Sequence, residues 1–235
     1  MSHRSRLWSA ALGPVRRAAE MRARLGRRSR QTTVEELDGI AIVVLPDVYN
    51  PVTNRTGAML ARVLRDAIPV RPPGEPVPRL LDVGTGCGVA AVFAALRGAE
   101  VVAVDLNPEA IRNARLNAQL HHVEHRVDVR QGDLFEPVAG ERFDVVAFDP
   151  PRHVGRPSTF IDLAWEGEDV LERFAATVGD VLAPGGRVLV STRTDSASHT
   201  LADTLGFAGF DVRVVTEGRF YGATESIVEA VQRQA

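Results

Sequence analysis

The sequence predicts an α/β fold in which a mainly parallel sheet carries helices on both faces. From Leu80 onwards, short apolar runs alternate with amphipathic segments, as they do where each strand is followed by a helix. The 235 residues, 45% of them hydrophobic, suffice for one full core with an N-terminal extension, but not for a second large domain. A glycine-rich stretch, LLDVGTGCG from Leu80 to Gly88, predicts a strand that turns sharply into a helix.

The first 31 residues are predicted to form a basic arm. They hold nine arginines against one acid, Glu20, and the whole chain lacks lysine. Arginine in place of lysine is typical of GC-rich genomes, which favours a bacterial source. The arm is suited to contact nucleic acid or an acidic partner or to cover an active site, and a solvated terminus is the plain alternative.

Residues 32 to 79 are predicted to form a cap at one end of the core. Asp38-Gly39 lies between two β-like runs and predicts a hairpin over residues 33 to 45. A turn follows, and then a helix with one apolar face, formed by Met59, Leu60, Val63, Leu64 and Ile68. Residues 69 to 79 are rich in proline and predict an extended connector to a third segment, residues 80 to 235.

The third segment contains the regular alternation of strands and helices. Strands are predicted at residues 80–83, 101–104, 127–130, 143–148, 187–191, 210–216 and 226–231. Helices are predicted at residues 89–97, from Asn107-Pro108 onwards, and at residues 168–182 and 196–205. Parallel sheets of this kind bind ligands at the carboxyl ends of their strands.

Four of the predicted strands end in residues suited to one ligand. The glycine loop follows the first strand, and Asp105 follows the second about twenty residues later, where a carboxylate can accept both hydroxyls of a ribose. Asp133 follows the third and can accept from an adenine amine, and Asp149 follows the fourth with two prolines that fix the backbone. Together they predict an adenosine-containing cofactor. Taken one by one, Asp105 could instead cap a helix, Asp133 could be a turn residue, and Asp149 with its two prolines could form a rigid loop without chemistry.

With these motifs the chain resembles the class I S-adenosylmethionine-dependent methyltransferases, and within them the HemK/PrmC-like glutamine and lysine N-methyltransferases. The likeness spans residues 48 to 231 and rests on VYNP, LLDVGTGCG, VDLNPEAIRNARLNA, QGDLF, FDPPR, LAPGGRVLV and GATESIVEAV. The resemblance implies a Rossmann-like, seven-stranded, mainly parallel sheet whose last strand is antiparallel, with a small N-terminal hairpin and helix as a cap.

The resemblance also implies S-adenosylmethionine as the cofactor and assigns residues to its site. The cofactor would be bound by Thr56, Asp82, Gly84, Thr85, Gly86, Gly88, Asp105, Leu106, Asp133, Leu134 and Asp149. The catalytic signature, which binds the substrate nitrogen in the family, would be Asp149, Pro150, Pro151 and Arg152.

This signature departs from the family pattern Asn-Pro-Pro-Tyr at two positions. Asparagine both donates to and accepts from an amide, whereas Asp149 at neutral pH only accepts. Arg152 stacks on a flat group less well than tyrosine does, but its guanidinium can donate two parallel hydrogen bonds to a carboxylate or phosphate. We therefore expect N-methylation of an amine in a protein or small metabolite. The alternatives are a base of RNA or DNA, with the arm on phosphates, and a non-catalytic cofactor-binding partner protein.

The cysteine and histidine content and the lengths of the apolar runs limit the possible classes of protein further. A single cysteine, Cys87, excludes an internal disulfide and favours a reducing cytoplasm. No apolar run approaches the ~20 residues needed to span a bilayer. No metal-ligand spacing is present, and of the histidines only His153 lies near the signature as a candidate base. The oligomeric state has no signal in the sequence.

Overall fold

The parallel sheet expected after residue 80 is present, together with a separate N-terminal hairpin. The computed structural model describes residues 30–52, 55–69, 76–151, 156–194, 201–220 and 223–233. The hairpin consists of β1 (Thr33–Leu37) and β2 (Ile40–Val44), and α1 (Thr56–Ala67) follows it. The other elements are β3 (Arg79–Val83), α2 (Val89–Leu96), β4 (Glu100–Asp105), α3 (Pro108–Leu120), β5 (Val127–Gln131), β6 (Phe143–Phe148), α4 (Val170–Thr177), β7 (Leu182–Thr194), α5 (Leu201–Phe207), β8 (Phe210–Phe220) and β9 (Ala223–Gln232).

The main sheet has seven strands in the order β5-β4-β3-β6-β7-β9-β8. Strands β3 to β7 pair in parallel, whereas β9 runs antiparallel to both of its neighbours. This confirms the predicted seven-stranded sheet with an antiparallel last strand. The strand order reverses between β3 and β6, and open α/β sheets form their ligand crevice at such a reversal.

Helices cover both faces of the sheet, as predicted. On one face, α1, α2 and α3 pack their apolar sides against β3, β4 and β7, through residues such as Leu64, Val92 and Ile111. On the other face, α4 and α5 bury Phe174 and Leu205 against a second set of strand side chains. Helix α1 contacts β7 and β9 directly, so its N-terminus is fixed close to the ends of the central strands.

The hairpin prediction is confirmed, and polar side chains of α3 attach the hairpin to the body. Asp38 and Gly39 have φ angles of 51° and 82°, as a two-residue hairpin turn requires. Asn113 and Asn117 are fully buried, and the side-chain nitrogen of each donates to the Val43 carbonyl at 2.8 and 2.7 Å. Their oxygens accept from the backbone N–H groups of Leu45 and Val43. These hydrogen bonds pair backbone groups of Val43 and Leu45 in and next to β2.

Two boundaries differ from the prediction. The helix expected over residues 168–182 is α-helical only over Val170–Thr177 and continues as a 3₁₀ turn over Val178–Val181. Pro184-Gly185-Gly186, expected before the next strand, lies inside a long β7, where the register with β6 shifts. The helix expected over residues 196–205 is α5, whose described part is Leu201–Phe207, since residues 195–200 lie outside the description.

Within the described ranges, no helix has the length and apolar character to cross a membrane. The same ranges contain no group of three or more histidine, cysteine, aspartate or glutamate side chains placed to hold a metal ion.

Candidate cofactor and acceptor site

A cavity of about 310 Å³ lies at the carboxyl ends of the central strands. It brings together the glycine loop and the three carboxylates predicted from the strand ends. Of the predicted residues, those that line it are Asp82, Gly84, Thr85, Gly86, Asp105, Leu106, Asp133, Leu134, Asp149, Pro150 and Pro151. Thr56 and Gly88 are not among the lining residues, and Arg152 and His153 fall outside the described residues.

The glycine loop needs its glycines for conformation and for close packing. Gly84, Gly86 and Gly88 have φ angles of 64°, 57° and 81°, which L side chains rarely adopt. A Cβ atom at Gly88 would lie 2.8 Å from the Cα of Ala114, so this glycine allows α3 to pack closely against the loop. Gly84 and Gly86 instead expose backbone to the cavity, where a ligand can approach it.

Asp105 is held in a fixed orientation by backbone donors on both carboxylate oxygens. Its Oδ2 accepts from the Gly86 N–H and its Oδ1 from the Asn107 N–H, both at 2.8 Å. Burial raises the pKa of Asp105, and these two hydrogen bonds oppose that effect. A carboxylate oxygen can accept more than one hydrogen bond, so the predicted contact with ribose hydroxyls is compatible with this arrangement.

Asp82 supports the glycine loop through a buried hydrogen bond from Thr85. It is 3% exposed and accepts a hydrogen bond of 2.6 Å from the Thr85 hydroxyl. Burial raises the pKa of Asp82 to about 7, with hydrogen bonds from Thr85 and the Ala91 backbone opposing the shift and the Asp105 and Asp149 charges adding to it. Asp82 therefore carries its proton for part of the time near neutral pH.

Asp133 also lines the cavity and forms an ion pair. Its Oδ2 accepts from Arg173 Nη1 at 2.7 Å, and Arg173 Nε also donates to Asp169 at 2.9 Å. Arg173 belongs to α4 and Asp133 follows β5, so the pair joins two elements at the cavity rim. Leu134, the other residue predicted to face the adenine, has a φ angle of 46° and lines the same cavity.

Asp149 sits where α1 begins. Thr56 Oγ1 donates to its Oδ2 at 3.2 Å and the Ser191 hydroxyl donates to its Oδ1. A Cβ atom at Gly57 would lie 3.3 Å from Asp149 Oδ2, so glycine allows the helix start to approach. The first turn of α1 contains no acidic residue. Because a helix N-terminus carries partial positive charge, it stabilises the Asp149 carboxylate there.

The sequence reasoning missed Ser191, Tyr49 and Arg173. Ser191 ends an apolar run in β7 one residue after Val190, which pairs with Phe148 directly before Asp149. A polar residue at the end of that run was a signal for the site, once β6 and β7 were known to be neighbours. Tyr49 belongs to the VYNP motif but was not assigned to the site, and Arg173 lines the cavity without any local pattern that indicated it.

The cavity fits S-adenosylmethionine in size and in chemistry. Its volume is at the lower end of the range of about 300 to 1,000 Å³ for sites of small molecules. Backbone of the glycine loop lies at one part of the cavity, and a doubly anchored carboxylate, Asp105, lies beside it. Fold and site together define an α/β protein with a nucleoside-cofactor cleft.

The chain belongs to the methyltransferase small domain family, whose model matches residues 54–221. It is therefore an enzyme, an S-adenosylmethionine-dependent methyltransferase. It is 28% identical to a putative protein N5-glutamine methyltransferase of Methanocaldococcus jannaschii over 76% of this chain and 89% of that protein. It is 35% identical to the ribosomal protein L11 methyltransferase of Geobacillus thermodenitrificans over 60% of this chain, but spans only 40% of that relative.

Solved structures agree with the fold. The Thermus thermophilus 16S rRNA N2 G1207 methyltransferase, solved with AdoMet and guanosine, superimposes with a TM-score of 0.62 at 19% identity, over 86% of this chain and 50% of that one. The Mtq2-Trm112 complex of E. cuniculi, described as responsible for methylation of the eRF1 termination factor, gives a TM-score of 0.55 at 21% identity, over 80% of this chain and 99% of the matched one. At these identities the likeness concerns the fold.

Proposed function

We propose that this methyltransferase transfers the methyl group to an amine nitrogen of a protein, and that Asp149 holds that nitrogen. The observation that supports this proposal most directly is the environment of the Asp149 carboxylate. Its carboxylate lines the cavity, accepts from the hydroxyls of Thr56 and Ser191, and lies at the N-terminus of α1. Hydroxyl donors and a helix N-terminus both favour the charged form of a carboxylate.

Methyl transfer from a sulfonium depends more on the alignment of the reacting atoms than on a strong acid or base. S-adenosylmethionine, when bound, supplies an activated methyl group on a sulfonium. The attacking nitrogen needs a free lone pair, so the amine must react in its neutral form, and the protein must hold it in line. Asp149 can accept an N–H of the amine and stabilise the positive charge that grows on nitrogen. A neutral amide develops less of that charge and gains less from a carboxylate.

The charges around the cavity support a protein amine over a nucleic-acid base. Among the described lining residues, the only basic side chain is Arg173, which is already paired with Asp133 and Asp169. Eight lining residues carry carboxyl groups: Asp47, Asp82, Asp105, Asp133, Asp149, Glu166, Glu168 and Asp169. Such a wall attracts cationic groups and opposes the approach of phosphates.

The relatives favour a protein as the acceptor. The Methanocaldococcus jannaschii relative, matched over most of its length, is named a protein glutamine methyltransferase, and the Geobacillus relative is named for ribosomal protein L11. We infer an amine rather than the glutamine amide because aspartate stands at position 149, where the family pattern has asparagine. A bacterial, cytoplasmic setting is part of this proposal, supported by the arginine-only basic composition and the single buried cysteine.

The test is methyl transfer from labelled S-adenosylmethionine to soluble protein from a strain that lacks the enzyme, with the modified residue identified by mass spectrometry. We expect label on a lysine side chain or an N-terminal amine. Asp149→Ala should abolish transfer with cofactor affinity within a few-fold of wild type, and Asp149→Asn should retain little activity, since it keeps the shape but loses the charge. Label on glutamine, with Asp149→Asn as active as wild type, would contradict the amine assignment.

A further inference from the structure

We propose that Arg173 is a positioning residue for the cofactor, because it orients the Asp133 carboxylate for a hydrogen bond from the base of the nucleoside. The inference builds on the predicted contact between Asp133 and the exocyclic amine of adenine, and it does not depend on which acceptor is methylated. Both side chains line the cavity. They belong to different elements, since Asp133 follows β5 and Arg173 lies in α4.

The backbone of neighbouring strands places Asp133 close to Asp105. The Gly132 N–H donates to the Asp105 carbonyl at 3.0 Å, and the Asp133 carbonyl accepts from the Glu136 N–H at 3.0 Å, which closes a turn directly after β5. A nucleoside base is bonded directly to its ribose. A carboxylate next to Gly132 is therefore suited to contact the base while Asp105 holds the sugar.

Two nitrogens of the Arg173 guanidinium are hydrogen-bonded, so the orientation of its plane is fixed. Nη1 donates to Asp133 Oδ2 at 2.7 Å, and Nε donates to Asp169 Oδ1 at 2.9 Å. Asp169 is the N-cap residue of α4, but its side chain makes no capping hydrogen bond. Its backbone carbonyl accepts from the Arg173 N–H at 3.0 Å. Asp169 thus holds Arg173 from the side opposite to its bond with Asp133.

Aromatic packing holds together the two segments that carry the ion pair. Phe174, the residue after Arg173, is buried and packs on Phe135 with ring centroids 5.3 Å apart. Phe135 lies two residues after Asp133 in the turn that follows β5. Phe174 also stacks on Phe148 of β6 at 4.7 Å. The core therefore keeps α4 next to this turn even without the ion pair.

Orientation, rather than stability, is the main effect of this ion pair. The side chains of Arg173 and Asp133 are 45% and 32% exposed, and water screens pairs with such exposure. A carboxylate has about four lone-pair sites on its two oxygens, so Oδ1 can accept from a ligand while Oδ2 is bonded to Arg173. Without Arg173, the ligand itself would have to order the Asp133 side chain, which weakens binding.

The test is calorimetric binding of two probes, S-adenosylhomocysteine and S-inosylhomocysteine, whose base has a carbonyl in place of the exocyclic amine. Wild type should prefer the adenosyl compound about tenfold, because a site that accepts from an N–H rejects an analogue without it. Arg173→Met should reduce this preference to about threefold or less, with a melting temperature close to wild type. Arg173→Lys should recover part of the preference, because lysine can still donate to Asp133.

The matched control is Arg112→Met, which removes an exposed arginine from the ion pair with Glu109 on α3. Neither of these two residues lines the cavity, so the preference should stay at the wild-type value. Asp133→Ala tests whether Arg173 acts through Asp133. It should abolish the preference, and the double variant with Arg173→Met should bind both probes as Asp133→Ala does.

Several outcomes would overturn the role of Arg173. They are a wild type without preference, an unchanged preference in Arg173→Met, and equal weakening of both probes in that variant, which would make the ion pair purely structural. A loss of preference in Arg112→Met, or a further loss of affinity in the double variant, would also contradict it. Because the probes are bound without an acceptor, none of these results bears on the proposed methylation of an amine.

Discussion

Three carboxylates at neighbouring strand ends, Asp82, Asp105 and Asp149, have different surroundings and therefore different tasks. Asp82 is buried behind the loop and bonded to Thr85, Asp105 is aligned by two backbone N–H groups, and Asp149 accepts from two hydroxyls. The three carboxylates therefore differ in the donors that orient them. Each of the three tasks can be tested with a single substitution.

Asp105→Ala should weaken S-adenosylmethionine binding strongly. The substitution removes the residue that we predict to accept from two ribose hydroxyls, and it leaves the Gly86 and Asn107 N–H groups without this acceptor. We expect a loss of roughly 2 to 4 kcal/mol, since a hydrogen bond to a charged group contributes about 1.5 to 3 kcal/mol and water restores part of it. Calorimetry measures the change, and Asp105→Asn, which keeps the shape, should lose less. Unchanged affinity in Asp105→Ala would contradict the ribose assignment.

Asp82 should make stability depend on pH between about 4 and 7. Burial raises its pKa from 3.8 in the unfolded reference to about 7 in the folded protein. In that window the folded state holds the proton and the unfolded state does not, so the free energy of unfolding falls as pH rises. The decrease is at most about 4 kcal/mol, at 1.36 kcal/mol for each pH unit. Above pH 7 this contribution is constant.

The control for this pH dependence is Asp82→Asn, which cannot ionise and keeps an oxygen that can accept from Thr85. Urea unfolding of both proteins at pH 5, 6 and 7 should show the wild type losing stability relative to the variant as pH rises. A constant difference across the three pH values would refute the assignment of the shifted pKa to Asp82.

At the scale of elements, α3 joins the hairpin to the cofactor loop. Asn117 donates to the carbonyls of Val43 and Cys87 and accepts from the Val43 N–H. One side chain therefore satisfies backbone groups of two segments, the hairpin and the glycine loop. This arrangement explains why a buried asparagine stands in the apolar face of a helix.

Asn117→Ala should destabilise the protein by roughly 2 to 4 kcal/mol, because the Val43 N–H and the Cys87 carbonyl lose this partner at about 1 to 3 kcal/mol each, whereas Asn113 still donates to the Val43 carbonyl. The matched control is Gln119→Ala, which removes an exposed side chain from the same helix and should change stability by less than about 0.5 kcal/mol. Denaturant titration compares the two. Equal stabilities would show that the hairpin does not depend on Asn117.

At the scale of the whole molecule, the arginine-rich arm and the acidic cavity wall have opposite charges. The division into an arm of residues 1–31, a cap of residues 32–79 and a methyltransferase domain of residues 80–235 stays a prediction. Removal of residues 1 to 30 should leave folding and cofactor affinity intact, because β1 begins only at Thr33. Thermal melting and calorimetry measure both. A large fall in melting temperature would contradict this, whereas a fall in turnover alone would assign the arm to the acceptor.

By itself the sequence determined the α/β class, most strand positions, the hairpin turn and the strand-end residues that line the cavity. These features depend on local causes: apolar periodicity, the φ angles of Asp38-Gly39, and glycines at a strand-to-helix turn. The end of α4 was less predictable, because the apolar stripe continues through residues whose backbone tightens to a 3₁₀ turn.

Only the tertiary structure decided which distant residues meet. Ser191 bonds to Asp149 because β7 lies beside β6 in a register that places Val190 opposite Phe148. Tyr49 meets Trp165, and Arg173 meets Asp133, through segments that are far apart in the chain. Such contacts follow from strand order, register and packing, which depend on the whole core rather than on any short stretch of sequence. The sequence therefore indicated the glycines and carboxylates that line the cavity, whereas the contacts of Ser191, Tyr49 and Arg173 came only from the tertiary structure.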